Sequence, residues 1–183
     1  KPIISPSLID VLLKEENQWN NDYQITSAVQ KHDSIEWKPV WGETNTIIDL
    51  HNSLKLEMKN KNNQKLNIEF KVFNDAVAFR YEIPKLKEQD SIYLQKEETQ
   101  FQILDNPKAW WIPQNFESYE LLYQTGKLSN LENANTPVTF QRNDGICLSI
   151  HEAALTDYAG MTLEKDSNQV LSTALVPWPD QIL

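Results

Sequence analysis

Apolar and polar residues alternate with a period of two along much of this chain, the spacing of a half-buried strand rather than of a helix. Leu66, Ile68, Phe70 and Val72 fall on one phase, and Asn67, Glu69 and Lys71 on the other. Asn74-Asp75 follows as a turn pair. Val77, Phe79, Tyr81 and Ile83 then alternate with Ala78, Arg80 and Glu82. Residues 65–83 therefore predict a β-hairpin with one apolar face, ended by Pro84. Leu54, Leu56 and Met58, set against Lys55, Glu57 and Lys59, predict another half-buried strand.

The same reading places strands at residues 8–14, 24–32, 44–50, 91–94, 97–103, 137–141, 145–151, 161–164 and 169–176. Polar or proline-bearing turns at 59–64, 105–108 and 142–145 separate several of them. Roughly ten or more strands in one chain imply two packed antiparallel sheets, so the expected class is all-β, a large two-sheet antiparallel β-sandwich. The one helix-like stretch, 115–123, has no consistent apolar face and is read as an irregular aromatic loop. A length of 183 residues fits a single domain, 1–183, with a core burying roughly 70% of the unfolded surface.

Composition narrows the function. Apolar residues make up 40% of the chain, with six each of Trp, Tyr and Phe, which opposes disorder. The net charge of −9 opposes nucleic-acid binding, which draws on surplus Lys and Arg. No apolar run reaches the roughly 18 residues of a membrane-spanning helix. Cys147 is the single cysteine, so an internal disulfide is excluded, and its flanks Ile146 and Leu148 predict a buried, inert thiol on a strand. The chain opens on Lys1-Pro2-Ile3-Ile4 and stops after Gln181-Ile182-Leu183. Both ends read as boundaries within a longer protein.

No nucleophile elbow, phosphate loop or paired-histidine metal motif is present. His32 and His51 read as surface or satisfied histidines. Acidic residues such as Glu57, Glu69, Asp75 and Asp105 fall on polar strand phases or in turns, where carboxylates are mostly solvated. Glu152 differs. It leaves the strand at 145–150 in His151-Glu152-Ala153-Ala154-Leu155, and strand ends are where sandwich loops place function. Its small alanine neighbours permit close approach by another surface or a metal. One carboxylate is nevertheless far short of the six to eight oxygens that Ca²⁺ takes. Trp110-Trp111-Ile112-Pro113 with Phe116, Tyr119 and Tyr123 reads either as core or as a sugar-stacking platform. Trp37 and Trp41 read as packing, and Trp178 as a lid or an interface plug.

Several of these segments, in this order, resemble the N-terminal domain of the family 97 glycoside hydrolases. They are Lys38-Pro39-Val40-Trp41-Gly42-Glu43, the stretch FKVFNDAVAFRYEI at 70–83, and Lys108-Ala109-Trp110-Trp111-Ile112-Pro113. IHEAAL at 150–155, Asp157-Tyr158 and Leu175-Val176-Pro177 complete the series. One departure is Ala76, where the family usually has a glycine after the hairpin turn. The resemblance implies a β-super-sandwich that caps a catalytic (β/α)₈ barrel, in Ca²⁺-dependent enzymes cleaving α-glucosides or α-galactosides. It further implies that the acid and the base or nucleophile sit on the barrel, so no catalytic residue and no activity are expected in this chain alone. Glu152 is implied as a ligand of a Ca²⁺ shared with the barrel. Val176, Pro177, Trp178 and Asp180 are implied as contacts to an α-linked oligosaccharide. A periplasmic or cell-envelope location follows from the same likeness. The rival expectation is a stand-alone carbohydrate-binding module using the aromatic platform.

Overall fold

The computed structural model describes residues 2–13, 22–84 and 94–177. These divide into two compact units, the described residues of Lys1–Glu16 and Ser91–Leu183 forming one and those of Asn17–Asp90 the other. The described residues hold thirteen strands and a single 3₁₀ turn, Leu128–Asn130. The strands are β1 (Val11–Leu13), β2 (Gln24–Trp37), β3 (Ile47–Lys59), β4 (Lys65–Val72), β5 (Val77–Glu82), β6 (Leu94–Glu97), β7 (Gln100–Phe101), β8 (Lys108–Pro113), β9 (Gln124–Lys127), β10 (Asn133–Gln141), β11 (Cys147–Ile150), β12 (Met161–Lys165) and β13 (Leu171–Leu175). Every pairing is antiparallel. The chain is all-β, consistent with the antiparallel β-sandwich class that the alternation predicts.

The middle unit is a four-stranded meander in the order β2-β3-β4-β5. Its hairpin forms as expected. β4 and β5 pair with Ile68 opposite Tyr81, Phe70 opposite Phe79 and Val72 opposite Val77, so the apolar phases of both strands meet on one face. The Phe70 and Phe79 rings lie 5.9 Å apart, centroid to centroid. Phe73 N–H donates to the Ala76 carbonyl at 2.8 Å and closes the turn. Ala76 is not among the residues with positive φ, so the turn needs no glycine there. Residues 44–50 and 54–59, expected as parts of two strands, lie mostly in the single long β3. Asn52 and Ser53, between the two stretches, continue the ladder.

The other unit holds a two-stranded ribbon, β1-β6, and a seven-stranded sheet in the order β7-β13-β12-β10-β8-β9, with β11 on β10. Its core comprises Ile103, Ala109, Trp111, Leu128, Leu131, Ala134, Val138, Phe140, Ile150, Leu163 and Leu171. β10 runs through this core and pairs with β8, β11 and β12. The β8–β10 ladder breaks between Asn135 and Thr139, around the cis Thr136–Pro137 peptide. Proline has no N–H to give the ladder, so an irregularity there is expected. Arg142, at the end of β10, is buried. Its guanidinium forks onto Asp144 at 3.0 and 3.2 Å, lies 3.3 Å from Asp105 and donates to the Pro2 carbonyl at 2.9 Å.

Three sequence expectations need correction. Cys147 is exposed, because β11 is short and the core phase of that strand falls to Ile150 rather than to the cysteine. Trp37 and Trp41 are both exposed within this chain. β8 and β9 went unpredicted: adjacent Trp110 and Trp111 break the alternation of β8, and β9 is four small or polar residues. By contrast, 115–123 is irregular as expected, with Asn115 Oδ1 accepting from the N–H groups of Glu117 and Ser118. His51 is buried and paired with Asp49 at 2.5 Å, and His32 is exposed beside Asn52 at 3.0 Å. Both match the satisfied or surface reading.

Candidate functional site

Glu152 opens the loop between β11 and β12. Ile150 anchors the end of β11 in the core, so the chain leaves the sheet two residues later with Glu152 half-buried. Its Oε1 accepts the Met161 N–H at 2.7 Å. Its Oε2 lies 3.4 Å from the Thr136 hydroxyl, which is nearer the Met161 carbonyl at 3.1 Å. A hydroxyl has one proton to share between them, and the nearer carbonyl takes the larger part. Oε2 is therefore the less committed oxygen. Burial holds the Glu152 carboxyl above the usual range, against the Met161 N–H, the Thr136 hydroxyl and His151, which favour the ionised form; nearby Glu97 adds to the rise. A carboxylate desolvated in this way gains from any cation brought to it.

The loop is pinned on its far side as well. Asp157 adopts a left-handed conformation, φ 52°, tolerable for Asp. The next residue, Tyr158, donates its hydroxyl to buried Glu97 at 2.7 Å. Thr99 donates to the other oxygen of Glu97 at 2.5 Å. The chain then returns to β12 through Gly160, whose carbonyl accepts the Val176 N–H at 2.8 Å. One peptide group, Gly160–Met161, thus bridges two of the sequence-predicted residues. Its N–H holds Glu152 and its carbonyl holds Val176. A methyl group at Gly160 would sit 3.7 Å from the Tyr119 hydroxyl, 3.7 Å from Val176 Cγ2 and 4.0 Å from Leu155 Cδ2, so these three side chains gather at the same point.

Val176 is partly buried and Pro177 exposed. Trp178 and Asp180 lie outside the described residues. The aromatic cluster divides. Trp111 belongs to the core, and Trp110 lies beneath the Lys108 ammonium at 4.5 Å. Phe116, Tyr119 and Tyr123 are exposed, together with Leu121, Leu122, Leu155 and Tyr158. Tyr119 and Leu155 meeting at Gly160 was not foreseen in the sequence. The only available signal was the glycine itself. No group of three or more His, Cys, Asp or Glu side chains among the described residues is arranged to hold a metal.

Comparison with known proteins follows the same segments. The Glycosyl-hydrolase 97 N-terminal family matches residues 1–179. The chain belongs to that family. A glycoside hydrolase family 97 enzyme from Pseudoalteromonas sp. strain K8, solved in complex with acarbose, superposes with a TM-score of 0.89 at 34% identity, over 98% of this chain and 28% of that one. The retaining alpha-galactosidase of Bacteroides thetaiotaomicron is 23% identical over 98% of this chain and 28% of its own length. A beta-arabinopyranosidase shares the fold, with a TM-score of 0.84 at 19% identity over 95% of this chain and 30% of that one. The chain therefore spans little more than a quarter of these relatives and corresponds to the N-terminal domain of family 97 glycosidases.

Proposed function

We propose that this chain is the non-catalytic N-terminal part of a calcium-dependent α-glycosidase, and that Glu152 supplies one calcium ligand across a domain boundary. The observation that carries the reading is the Glu152 carboxylate. It is fixed through Oε1 by a backbone N–H, desolvated, and left with Oε2 only loosely engaged. The residues fit a one-ligand contribution and no more. Calcium takes six to eight oxygens, so the remainder would come from the catalytic (β/α)₈ barrel of the same protein. When bound, the ion would supply positive charge beside the reacting sugar and orient oxygen ligands there. Glu152 holds its place without moving a proton. Val176, tied to Glu152 through the Gly160–Met161 peptide, and Pro177 after it would border the α-linked oligosaccharide, with Trp178 and Asp180 following them. The relative solved with acarbose and the α-galactosidase relative support α-glucosides or α-galactosides as substrates. The enzyme would act in the periplasm or cell envelope.

Capping of the barrel finds support in the surface around this loop. Tyr119 and Leu155, which meet at Gly160, and Tyr158 of the same loop are exposed, and an aliphatic residue mixed with tyrosines suits a protein partner better than it suits a sugar. A stand-alone carbohydrate-binding module draws on the same exposed Phe116, Tyr119 and Tyr123 rings. Calorimetric titration of an oligosaccharide into residues 1–183, which a stand-alone module should bind, separates the readings, and hydrolysis of aryl α-glucosides and α-galactosides tests the proposal itself. Residues 1–183 alone should be inactive, while the intact enzyme should be active and lose activity with a calcium chelator. Turnover by residues 1–183, or chelator-insensitive turnover by the intact enzyme, would refute the proposal.

A further inference from the structure

The four-stranded sheet contains one strand out of phase with its neighbours. Cross-strand partners share a face of an antiparallel sheet. One face of β3, β4 and β5 is apolar, through Leu54, Leu56, Ile68, Phe70 and Phe79, and the other is charged, through Lys55, Glu57, Glu69, Arg80 and Glu82. β2 reverses this order. A register shift between Ile25 and Ser27 slips the pairing by one, and such a slip moves every later side chain to the opposite face. Val29 consequently opposes Lys55, and Ile35 opposes Asp49. Val29, Ile35 and Trp37 emerge exposed on the charged face, while Gln30, Ser34 and Glu36 take the apolar phase. β2 is also an edge strand. Among the described residues no strand pairs its outer side, and from Ser27 to Trp37 it opposes β3 without further irregularity.

We propose that β2 pairs antiparallel with β2 of a second copy of this chain, about a two-fold axis passing at His32. A two-fold normal to the sheet keeps each face continuous, so opposed residues must lie on the same face. With the axis at His32, Lys31 opposes the partner's Asp33 and Val29 opposes the partner's Ile35, each twice, with Ser27 opposite the partner's Trp37 beyond them. With the axis at Lys31 or at Asp33, like charges would face one another. With the axis at Gln30 or at Ser34, Lys31 would face an apolar side chain. Of these registers only the one centred on His32 opposes Lys31 to a carboxylate, and the same register pairs the two misplaced aliphatic residues. An edge lysine and a bulge ordinarily guard a free edge. Here the lysine, with an aspartate two residues on, rejects the neighbouring registers and admits one. The unpaired backbone groups of a long edge supply the ladder. This pairing draws on no feature of the calcium reading, and either can fail alone.

The test is sedimentation velocity on the intact protein across a concentration series, with thermal melts verifying that each variant is folded. Wild type should be a dimer that dissociates on dilution. K31D should weaken the dimer by roughly tenfold or more, because two attractive cross-strand pairs become two repulsive ones. The exchanged variant K31D/D33K should restore it. Ile35→Lys, at an exposed position, is an independent breaker and should give monomer. A wild-type protein that stays monomeric overturns the proposal. So does a dimer indifferent to K31D and Ile35→Lys, or an exchanged variant that stays as weak as K31D.

Discussion

Phe140 sits where the structure can least accommodate a loss. It is 1% exposed and lies on the central strand β10, directly opposite Ala109 on one side and Leu148 on the other. A buried phenylalanine removes about 150–250 Å² from water, of which alanine keeps roughly a third. At about 25 cal/mol per Å² the lost transfer energy is about 3 kcal/mol. Hydrogen-bonded ladders on both sides hold the backbone apart, so the vacated volume should close only in part and add about 1 kcal/mol of cavity cost. Phe140→Ala should therefore destabilise the protein by about 4 kcal/mol, or roughly 8–16 °C in Tm for a chain of this length. Urea unfolding is the direct assay. The midpoint should fall with the slope unchanged, which marks a loss of stability rather than a change in the denatured state. Val40→Ala, at an exposed loop position, serves as the control and should stay within about 0.5 kcal/mol of wild type. A cost below about 1.5 kcal/mol for Phe140→Ala, consistent with easy collapse, would refute the view of β10 as the rigid centre of its unit.

Three further outcomes follow from the site and its surroundings. Arg142→Met should lower stability at neutral pH, and the gap to wild type should narrow in acid. Its partner Asp144 is held below its ordinary pKa, chiefly by the Arg142 hydrogen bond, so that contribution is present above the unfolded carboxyl pKa and is lost as pH falls through the folded one; chemical denaturation at pH 7 and pH 3 reads the difference. Glu152→Gln should leave residues 1–183 equally or more stable at pH 7 without metal. Burial raises the Glu152 pKa, so its contribution is full below the unfolded pKa and is lost as pH rises through the folded one; a marked drop in Tm for the variant at pH 7 would contradict this. Gly160→Ala should fold normally, since the added methyl meets Tyr119, Val176 and Leu155 at ordinary contact distances, whereas Gly160→Leu should displace them and lower Tm.

The hairpin at 65–83 was legible because both strands keep strict alternation and a turn pair separates them. β8 was hidden for the opposite reason: it is buried through Ala109 and Trp111 and carries the bulky Trp110 between them, so no polar phase marks it. The inverted phase of β2 could not be read either. Ile25, Val29, Ile35 and Trp37 suggest one apolar stripe, and only the register with β3 shows that the bulge turns most of it to the charged face. Glu152 stood out by its position after a strand, and the order of motifs around it gave the family. The Gly160–Met161 peptide joining Glu152 to Val176 was beyond the sequence, because it brings together residues from three strand ends through backbone groups that leave no trace in composition.

Calorimetric titration of calcium into the metal-stripped intact enzyme tests the role of Glu152 most directly. The account predicts one tight site in the wild-type enzyme. It also predicts that Glu152→Gln weakens that site by roughly tenfold or more, as the loss of one charged ligand from the shell should. An unchanged calcium affinity in the Glu152→Gln enzyme would contradict it.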